Sequence, residues 1–201
     1  MKKLFLATAV IIALIGVSSC QQVFTYSVFE VLGWQRDISN LPPEQQEAYA
    51  RTALASGDPE AMAAAYDVLE DLLAETSVEE DPDLYTLAAE LAIGASGLVD
   101  TITEALTALA EGGDITSLLE FDQETIDLLA DAASYIDALD EAGEDVPTDL
   151  YVNGAVALLI VAIDDAGGVE NLDYENPPED LETALEWANL GGVDLETLLG
   201  G

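Results

Sequence analysis

The segment Asp81-Pro82-Asp83-Leu84-Tyr85-Thr86-Leu87-Ala88 determines how the rest of the chain is interpreted. Its first two residues form a helix start: aspartate caps the free N–H groups, and proline fits the first helical position, where its missing N–H costs nothing. The same dipeptide opens Asp58-Pro59-Glu60-Ala61, and Asp83-Leu84-Tyr85 recurs as Asp149-Leu150-Tyr151. These similar starts predict a chain built from successive helices.

Helical signals continue from Pro42 towards the C-terminus. Ala, Leu and Glu dominate, the breaks contain Asp-Pro, Gly-Asp and Gly-Gly, and no stretch shows the sustained alternation of a strand. The predicted helices lie near residues 44–56, 59–75, 82–94, 98–111, 122–142, 148–166, 178–190 and 194–199, with a short turn at 114–120. We therefore expect an all-α fold of about seven or eight helices, stacked as antiparallel hairpins.

The predicted helix after Asp81 resembles the first helix of a tetratricopeptide repeat. Leu87-Ala88, Leu91 and Ala95 have the large and small residues of that family at the matching spacing. The following helix departs from the pattern, since Asp100 and Glu104 stand where the family has an alanine and a large apolar residue. The resemblance implies a degenerate helical repeat, and the alternative is that alanine-rich helices with acidic caps look alike by chance.

The N-terminus has the features of an export signal. Lys2 and Lys3 precede an apolar run, Leu4 to Gly16, and Val17-Ser18-Ser19-Cys20 places small residues before a lone thiol. This resembles the bacterial lipobox, which implies that a diacylglycerol is attached to Cys20 and that the chain is cut just before it. The domains expected are a signal peptide at 1–19, a lipidated membrane-proximal segment at 20–40 and a helical-repeat domain at 41–201.

Two alternatives for this signal remain, an ordinary cleaved signal peptide and a retained membrane helix. The apolar run is shorter than the roughly 20 residues that a bilayer crossing needs, which disfavours the helix. By resemblance to lipoproteins of two-membrane bacteria, Gln21 after the cysteine implies the outer membrane within the cell envelope. The next segment has Phe24, Val28 and Leu32 on one helical face, which predicts that it docks on the domain or lies at the membrane interface.

The charge balance excludes several classes of partner. All 41 acidic residues follow position 20, and after Arg51 there is no lysine, arginine or histidine. Such a chain cannot neutralise phosphates, so we expect no nucleic-acid partner and no attraction to anionic headgroups. A solvated acidic coat and a cation store both explain the charge. Asp164, Asp165, Glu170 and Asp173 do not reproduce the EF-hand spacing, so no metal site is predicted.

The missing residue types also limit catalysis. The chain has no histidine, no lysine after Lys3 and no cysteine other than Cys20. These absences remove histidine bases, Schiff-base lysines and cysteine nucleophiles, so we expect neither an enzyme nor a cofactor. A hydrolase with paired carboxylates is the remaining catalytic alternative.

Two binding functions fit the predicted repeat. The first is a lipid-anchored scaffold that binds a protein partner through its helical surface, and the second is a transporter-associated component that binds a small apolar ligand or lipid. The lipobox and cryptic repeats resemble the periplasmic T components of spirochaete TRAP transporters, which implies the second. The candidate surface residues are Tyr85, Tyr151, Leu158 and Leu159; for the two tyrosines, packing against the next hairpin is the competing interpretation.

Two glycines and one apolar run give further structural expectations. Gly94 and Gly97 interrupt an apolar helical stretch, and the turn between two helices is the favoured interpretation over close helix approach. The run from Ala155 to Ile163 is almost entirely apolar, so it predicts a central buried helix or, alternatively, the wall of a ligand cavity.

Overall fold

The computed structural model describes residues 38–110, 121–168, 171–173 and 176–193, with the backbone alone at 105–110. All regular structure in these ranges is helical, with a 3₁₀ turn at Ile38–Asn40 before the first α-helix. The seven described α-helices are α1 Pro43–Ser56, α2 Pro59–Glu75, α3 Pro82–Ala95, α4 Leu98–Ala110, α5 Gln123–Glu141, α6 Thr148–Asp165 and α7 Glu179–Leu190. The all-α prediction is confirmed for the described chain.

The helix boundaries follow the capping signals closely. The side chain of Asp58 accepts the N–H of Glu60 at 3.1 Å, and that of Asp81 accepts the N–H of Leu84 at 3.0 Å. Asp122 caps α5 in the same way, accepting the N–H of Thr125 at 2.9 Å. Both Asp-Pro starts are therefore confirmed. The predicted helix at 194–199, the turn at 114–120 and Cys20 lie outside the described residues.

The helices pack mostly in chain order. Extensive contacts join α1 with α2, α2 with α3, α5 with α6, and α6 with α7, whereas α3 packs against α5 rather than mainly against α4. The core between them is apolar, and its largest fully buried members are Trp187, Leu69, Leu87, Leu91, Leu98, Leu129, Ile136, Leu139 and Leu181. In this arrangement α5 packs against both α3 and α6.

The two glycines near the end of α3 have different roles. Gly97 has φ +68° and forms the turn before α4, as the favoured interpretation expects. Gly94 lies within α3, where an added Cβ would overlap Sδ of Met62 from α2. The turn interpretation is therefore wrong for Gly94, because this glycine allows close approach of α2 and α3.

The charge distribution along the helices is uneven. The first turn of each of the seven described α-helices contains an acidic residue, which is favourable beside the positive end of the helix dipole. No described helix has a basic residue in its last turn. The last turns of the described helices therefore contain no side chain of charge opposite to the negative end of the dipole.

Candidate functional site

A groove of about 400 Å³ lies between α5, α6 and α7. Its floor and walls combine apolar side chains with hydroxyl and carboxylate groups. The lining residues are Ala130, Ala133, Ser134 and Asp137 from α5, Leu158 and Val161 from α6, and Glu179, Asp180, Thr183 and Trp187 from α7. The volume falls within the range of ordinary small-ligand sites, about 300–1,000 Å³.

The buried face of α7 positions its contribution to the groove. Leu181, Ala184, Trp187 and Ala188 are buried at helical spacing, so they hold α7 against the preceding helices. Residues one position before those contacts, Asp180 and Thr183, therefore reach the groove. The acidic first turn is compatible with the helix, since Glu179 and Asp180 lie at the positive end of its dipole.

Trp187 connects the groove to the core. Its side chain is only 2% exposed, yet it lines the groove. Its ring centroid lies 6.3 Å from that of Tyr151 on α6, with the planes tilted by 54°. Gly154 makes room for the indole, because a Cβ there would lie 3.0 Å from both Cε3 and Cζ3 and 2.6 Å from Cδ1 of Ile136.

The charge of the groove has no counter-charge in its lining. Asp137, Glu179 and Asp180, hereafter the acidic rim, are accompanied by no basic lining residue. Arg51 is the basic residue within the described ranges, and its guanidinium lies 3.7 Å from Glu47 on α1. The acidic rim therefore presents a negative potential that the described part of the chain leaves unbalanced.

A second polar group, the tyrosine cluster, consists of Tyr66, Tyr85, Tyr135 and Asp131. The hydroxyl of Tyr66 donates to Oδ2 of Asp131 at 2.9 Å and lies 3.0 Å from the hydroxyl of Tyr135. The rings of Tyr85 and Tyr135 meet edge to face at 5.8 Å. Burial is the main cause of the raised pKa of both Tyr66 and Tyr135. The cluster therefore joins α2 and α5 through neutral hydroxyls, and α3 through the ring of Tyr85.

The four candidate surface residues occupy three different places. Leu158 lines the groove, and Tyr151 packs on Trp187 in its wall. Tyr85 belongs to the tyrosine cluster, and Leu159 packs against a small separate core formed by Ala162, Leu172 and Leu181. The structure thus brings Leu158 and Tyr151 near one site and places the other two away from it.

Both candidate tyrosines also make a hydrogen bond to the end of the preceding helix. Tyr85 donates its hydroxyl to the carbonyl of Thr76 at 3.0 Å, and Tyr151 donates to Oδ1 of Asp140. Burial, followed by this bond to Asp140, raises the pKa of Tyr151 to about 12. The phenol of Tyr151 is therefore held as a neutral donor.

The sequence-based interpretation did not single out Trp187 or the acidic rim. The available signals were the acidic first turn Glu179-Asp180 and the buried spacing of Leu181, Ala184 and Trp187. Neither signal shows which helices flank α7, so the groove could be recognised only from the tertiary structure.

The described carboxylates give no sign of a metal centre. No group of three or more acidic, histidine or cysteine side chains within the described ranges is placed to hold a metal ion. The carboxyl group with a raised pKa is Glu90 on α3, which is half-buried and lies near Asp149 and Arg51. Glu90 does not line the groove, so the carboxyl group with the raised pKa lies outside the candidate site.

Comparisons of the chain with models of protein families, with curated proteins and with solved structures found no match. Among the helices that the structure describes, none combines the length and the apolar character needed to cross a bilayer. The description of the groove therefore rests on the residues that line it: apolar side chains, the indole of Trp187 and the acidic rim.

Proposed function

We propose that this protein is a lipid-anchored, non-catalytic binding protein of the cell envelope, which holds a protein partner in the groove between α5, α6 and α7. The groove is the observation that carries the proposal, because it joins a concave surface, an aromatic wall and charged edges in one place. Interfaces between proteins concentrate their binding energy in such pockets, around a desolvated aromatic centre.

The anchor is supported by the N-terminal sequence. Val17-Ser18-Ser19-Cys20 follows an apolar run that begins after two lysines, as in the lipobox, and Gln21 favours the outer membrane. A single acyl chain binds membranes only marginally, whereas two chains hold a protein stably. A diacylglycerol on Cys20 would therefore hold the chain stably at the membrane.

The repeat interpretation is supported by an equivalence between α3 and α6. Tyr85 and Tyr151 each lie one turn into their helix, and each hydroxyl donates back to the end of the preceding helix. We propose that these helices occupy equivalent positions in stacked antiparallel hairpins of the tetratricopeptide type. Such stacks bind partners through their extended surfaces.

A small apolar ligand beside a transporter is the second candidate function. Leu158, Val161 and Trp187 in the groove support it. The acidic rim opposes it, because each carboxylate that an apolar ligand covers loses water without gaining a partner. The mixed lining therefore favours a protein partner.

Site-specific photo-crosslinking in cells tests the proposed partner. A photoreactive phenylalanine analogue replaces Thr183 in the groove, and the same analogue replaces Ala64, an exposed residue of α2, as the matched control. We expect a discrete crosslinked protein from position 183 and none from position 64. Equal crosslinking from both positions, or none from position 183, contradicts binding in the groove.

Metabolic labelling with a fatty-acid probe tests the anchor separately. The wild-type chain should be labelled and recovered with outer-membrane fractions, and Cys20→Ser should lose both label and membrane recovery. Unchanged labelling of Cys20→Ser would refute the lipid anchor and leave the groove proposal to the crosslinking result.

A further inference from the structure

We infer that the groove takes an extended, lysine- or arginine-bearing segment of the partner protein, whose cationic side chains pair with the acidic rim and whose backbone carbonyl accepts the indole N–H of Trp187. This inference rests on the proposed function and adds the chemistry of the bound segment. It follows from three properties of the groove, namely its unbalanced charge, its unpaired donor and its apolar floor.

The unbalanced charge selects a cation. Asp137 comes from α5, whereas Glu179 and Asp180 come from α7, so carboxylates border the groove from two helices. Arg51, the basic residue within the described ranges, lies beside Glu47 and is not in the lining, so no described cation borders the groove. A partner with basic side chains would match this potential, and such complementarity determines the choice of partner and speeds association.

The unpaired donor selects a carbonyl. Trp187 is 2% exposed, and none of the described residues accepts a hydrogen bond from its indole nitrogen; this atom is not among the buried polar atoms left without a partner, so water reaches it. The Cε3 and Cζ3 edge of the ring faces Gly154, so the N–H lies on the opposite edge. A backbone carbonyl in the groove would replace this water as the acceptor of the indole N–H. In an extended peptide the backbone carbonyls are free to accept, whereas in a helix they are already paired.

The apolar floor suits the aliphatic part of a basic side chain. Leu158 and Val161 from α6 lie in the same groove as the acidic rim. Lysine and arginine bury their methylene stems on apolar surface and keep the charged group at the edge. One side chain can therefore cover the floor and reach a carboxylate.

Peptide binding to the full-length protein in micelles of an uncharged detergent tests the inference. The probe is a fluorescein-labelled peptide of alternating lysine and valine, which favours an extended backbone, and its control has glutamine at every lysine. Fluorescence anisotropy at about 0.15 M salt measures affinity. We expect the lysine peptide to bind and the glutamine peptide to bind about tenfold more weakly or not at all.

Matched variants distinguish the groove from the general negative charge of the chain. Asp137→Asn with Glu179→Gln and Asp180→Asn should weaken binding of the lysine peptide about tenfold. The control removes as much charge from exposed positions of α2, through Asp67→Asn, Asp71→Asn and Glu75→Gln. It should change affinity less than about twofold. Equal losses in the two variants would show binding to the whole acidic surface and overturn the inference.

The indole nitrogen gives an independent readout. In the ¹⁵N-labelled protein the indole resonance of Trp187, assigned by comparison with Trp34→Phe, should shift when the lysine peptide is added. Peptide binding without this shift overturns the assignment of the carbonyl to Trp187. If crosslinking at position 183 succeeds in cells while the lysine peptide does not bind, the proposed function stands and the cationic segment is wrong.

Discussion

The tyrosine cluster and the groove both join aromatic rings to carboxylates, but only one of them completes its own hydrogen bonds. In the cluster, Tyr66 donates to Asp131 and its hydroxyl also meets that of Tyr135, so the polar tips find partners within the fold. In the groove, the acidic rim has no cation in its lining, and Trp187 has no acceptor among the described residues. Both sites contain the same residue types, aromatic rings and carboxylates. The difference teaches that missing hydrogen-bond and charge partners, rather than residue type, mark the groove as the candidate binding site.

The largest effect should come from Trp187→Ala, which removes both the groove wall and a core side chain. Because Trp187 is almost fully buried, we expect the free energy of unfolding to fall by about 3–5 kcal/mol. Leu190→Ala on the same helix is the control, since Leu190 is about half exposed. Its cost should stay within about 0.5 kcal/mol in urea unfolding. Similar costs for both would mean that α7 is not seated on the core by its indole.

Gly154→Ala should disturb the packing behind the groove next most strongly. The new methyl group would press on Cδ1 of Ile136 and the ring of Trp187, and such overpacking lowers the free energy of unfolding by about 1–3 kcal/mol. The higher helix propensity of alanine returns up to about 1 kcal/mol of this loss. Gly94→Ala is the matched control, because its new methyl group meets the flexible end of the Met62 side chain, which can move aside. Thermal unfolding should show a clear loss for Gly154→Ala and little for Gly94→Ala. The reverse order would contradict a rigid contact at Gly154.

Tyr66→Phe tests whether the tyrosine cluster is structural. Losing the hydroxyl removes its bonds to Asp131 and Tyr135, which should cost about 1–2 kcal/mol of unfolding free energy. Tyr49→Phe on α1 serves as control, since no described residue forms a hydrogen bond with its hydroxyl. Peptide binding in the groove should be unchanged in both variants. A loss of binding in Tyr66→Phe would break the separation between cluster and groove.

The smallest effect concerns Glu90 and depends on pH. Burial, then the charge of Asp149, raises the pKa of Glu90 above the usual 4.5 of a glutamate, whereas the charge of Arg51 lowers it. The folded state therefore binds more protons between the two pKa values, and stability falls as the pH rises through that window. Glu90→Gln should raise the unfolding free energy at neutral pH, and the gain should disappear below about pH 4.5.

Asp122→Ala should show the opposite pH dependence. The hydrogen bond from the backbone of Thr125 lowers the pKa of Asp122, so its stabilisation is present at neutral pH and is lost as the pH falls through the folded-state pKa. Unfolding curves over a pH series should therefore diverge for the two variants. Parallel curves would contradict both pKa directions.

The local structure was predictable because its causes are local. Asp58 and Asp81 with their prolines mark two helix starts, and the predicted helix at 82–94 ends one residue before the observed Ala95. The groove was not predictable, because it depends on which helices become neighbours. Chain order does not reveal that α3 packs against α5, and Trp187 carries no mark that distinguishes a groove wall from a core side chain. Leu158 was selected as a ligand contact for its apolar surroundings alone.

The absence of basic side chains from the last turns of the described helices has a consequence for the salt around the molecule. The negative ends of these helices and the carboxylates beside them therefore attract cations from the solvent. Dissolved sodium or potassium then offsets this negative charge, which in many other proteins is offset by lysines near the helix C-terminus. Diluting the salt lengthens the screening distance from about 3 Å at 1 M to about 30 Å at 0.01 M. Amide hydrogen exchange should then accelerate first in the last turns, because fewer solvent cations offset the negative ends of the helices there.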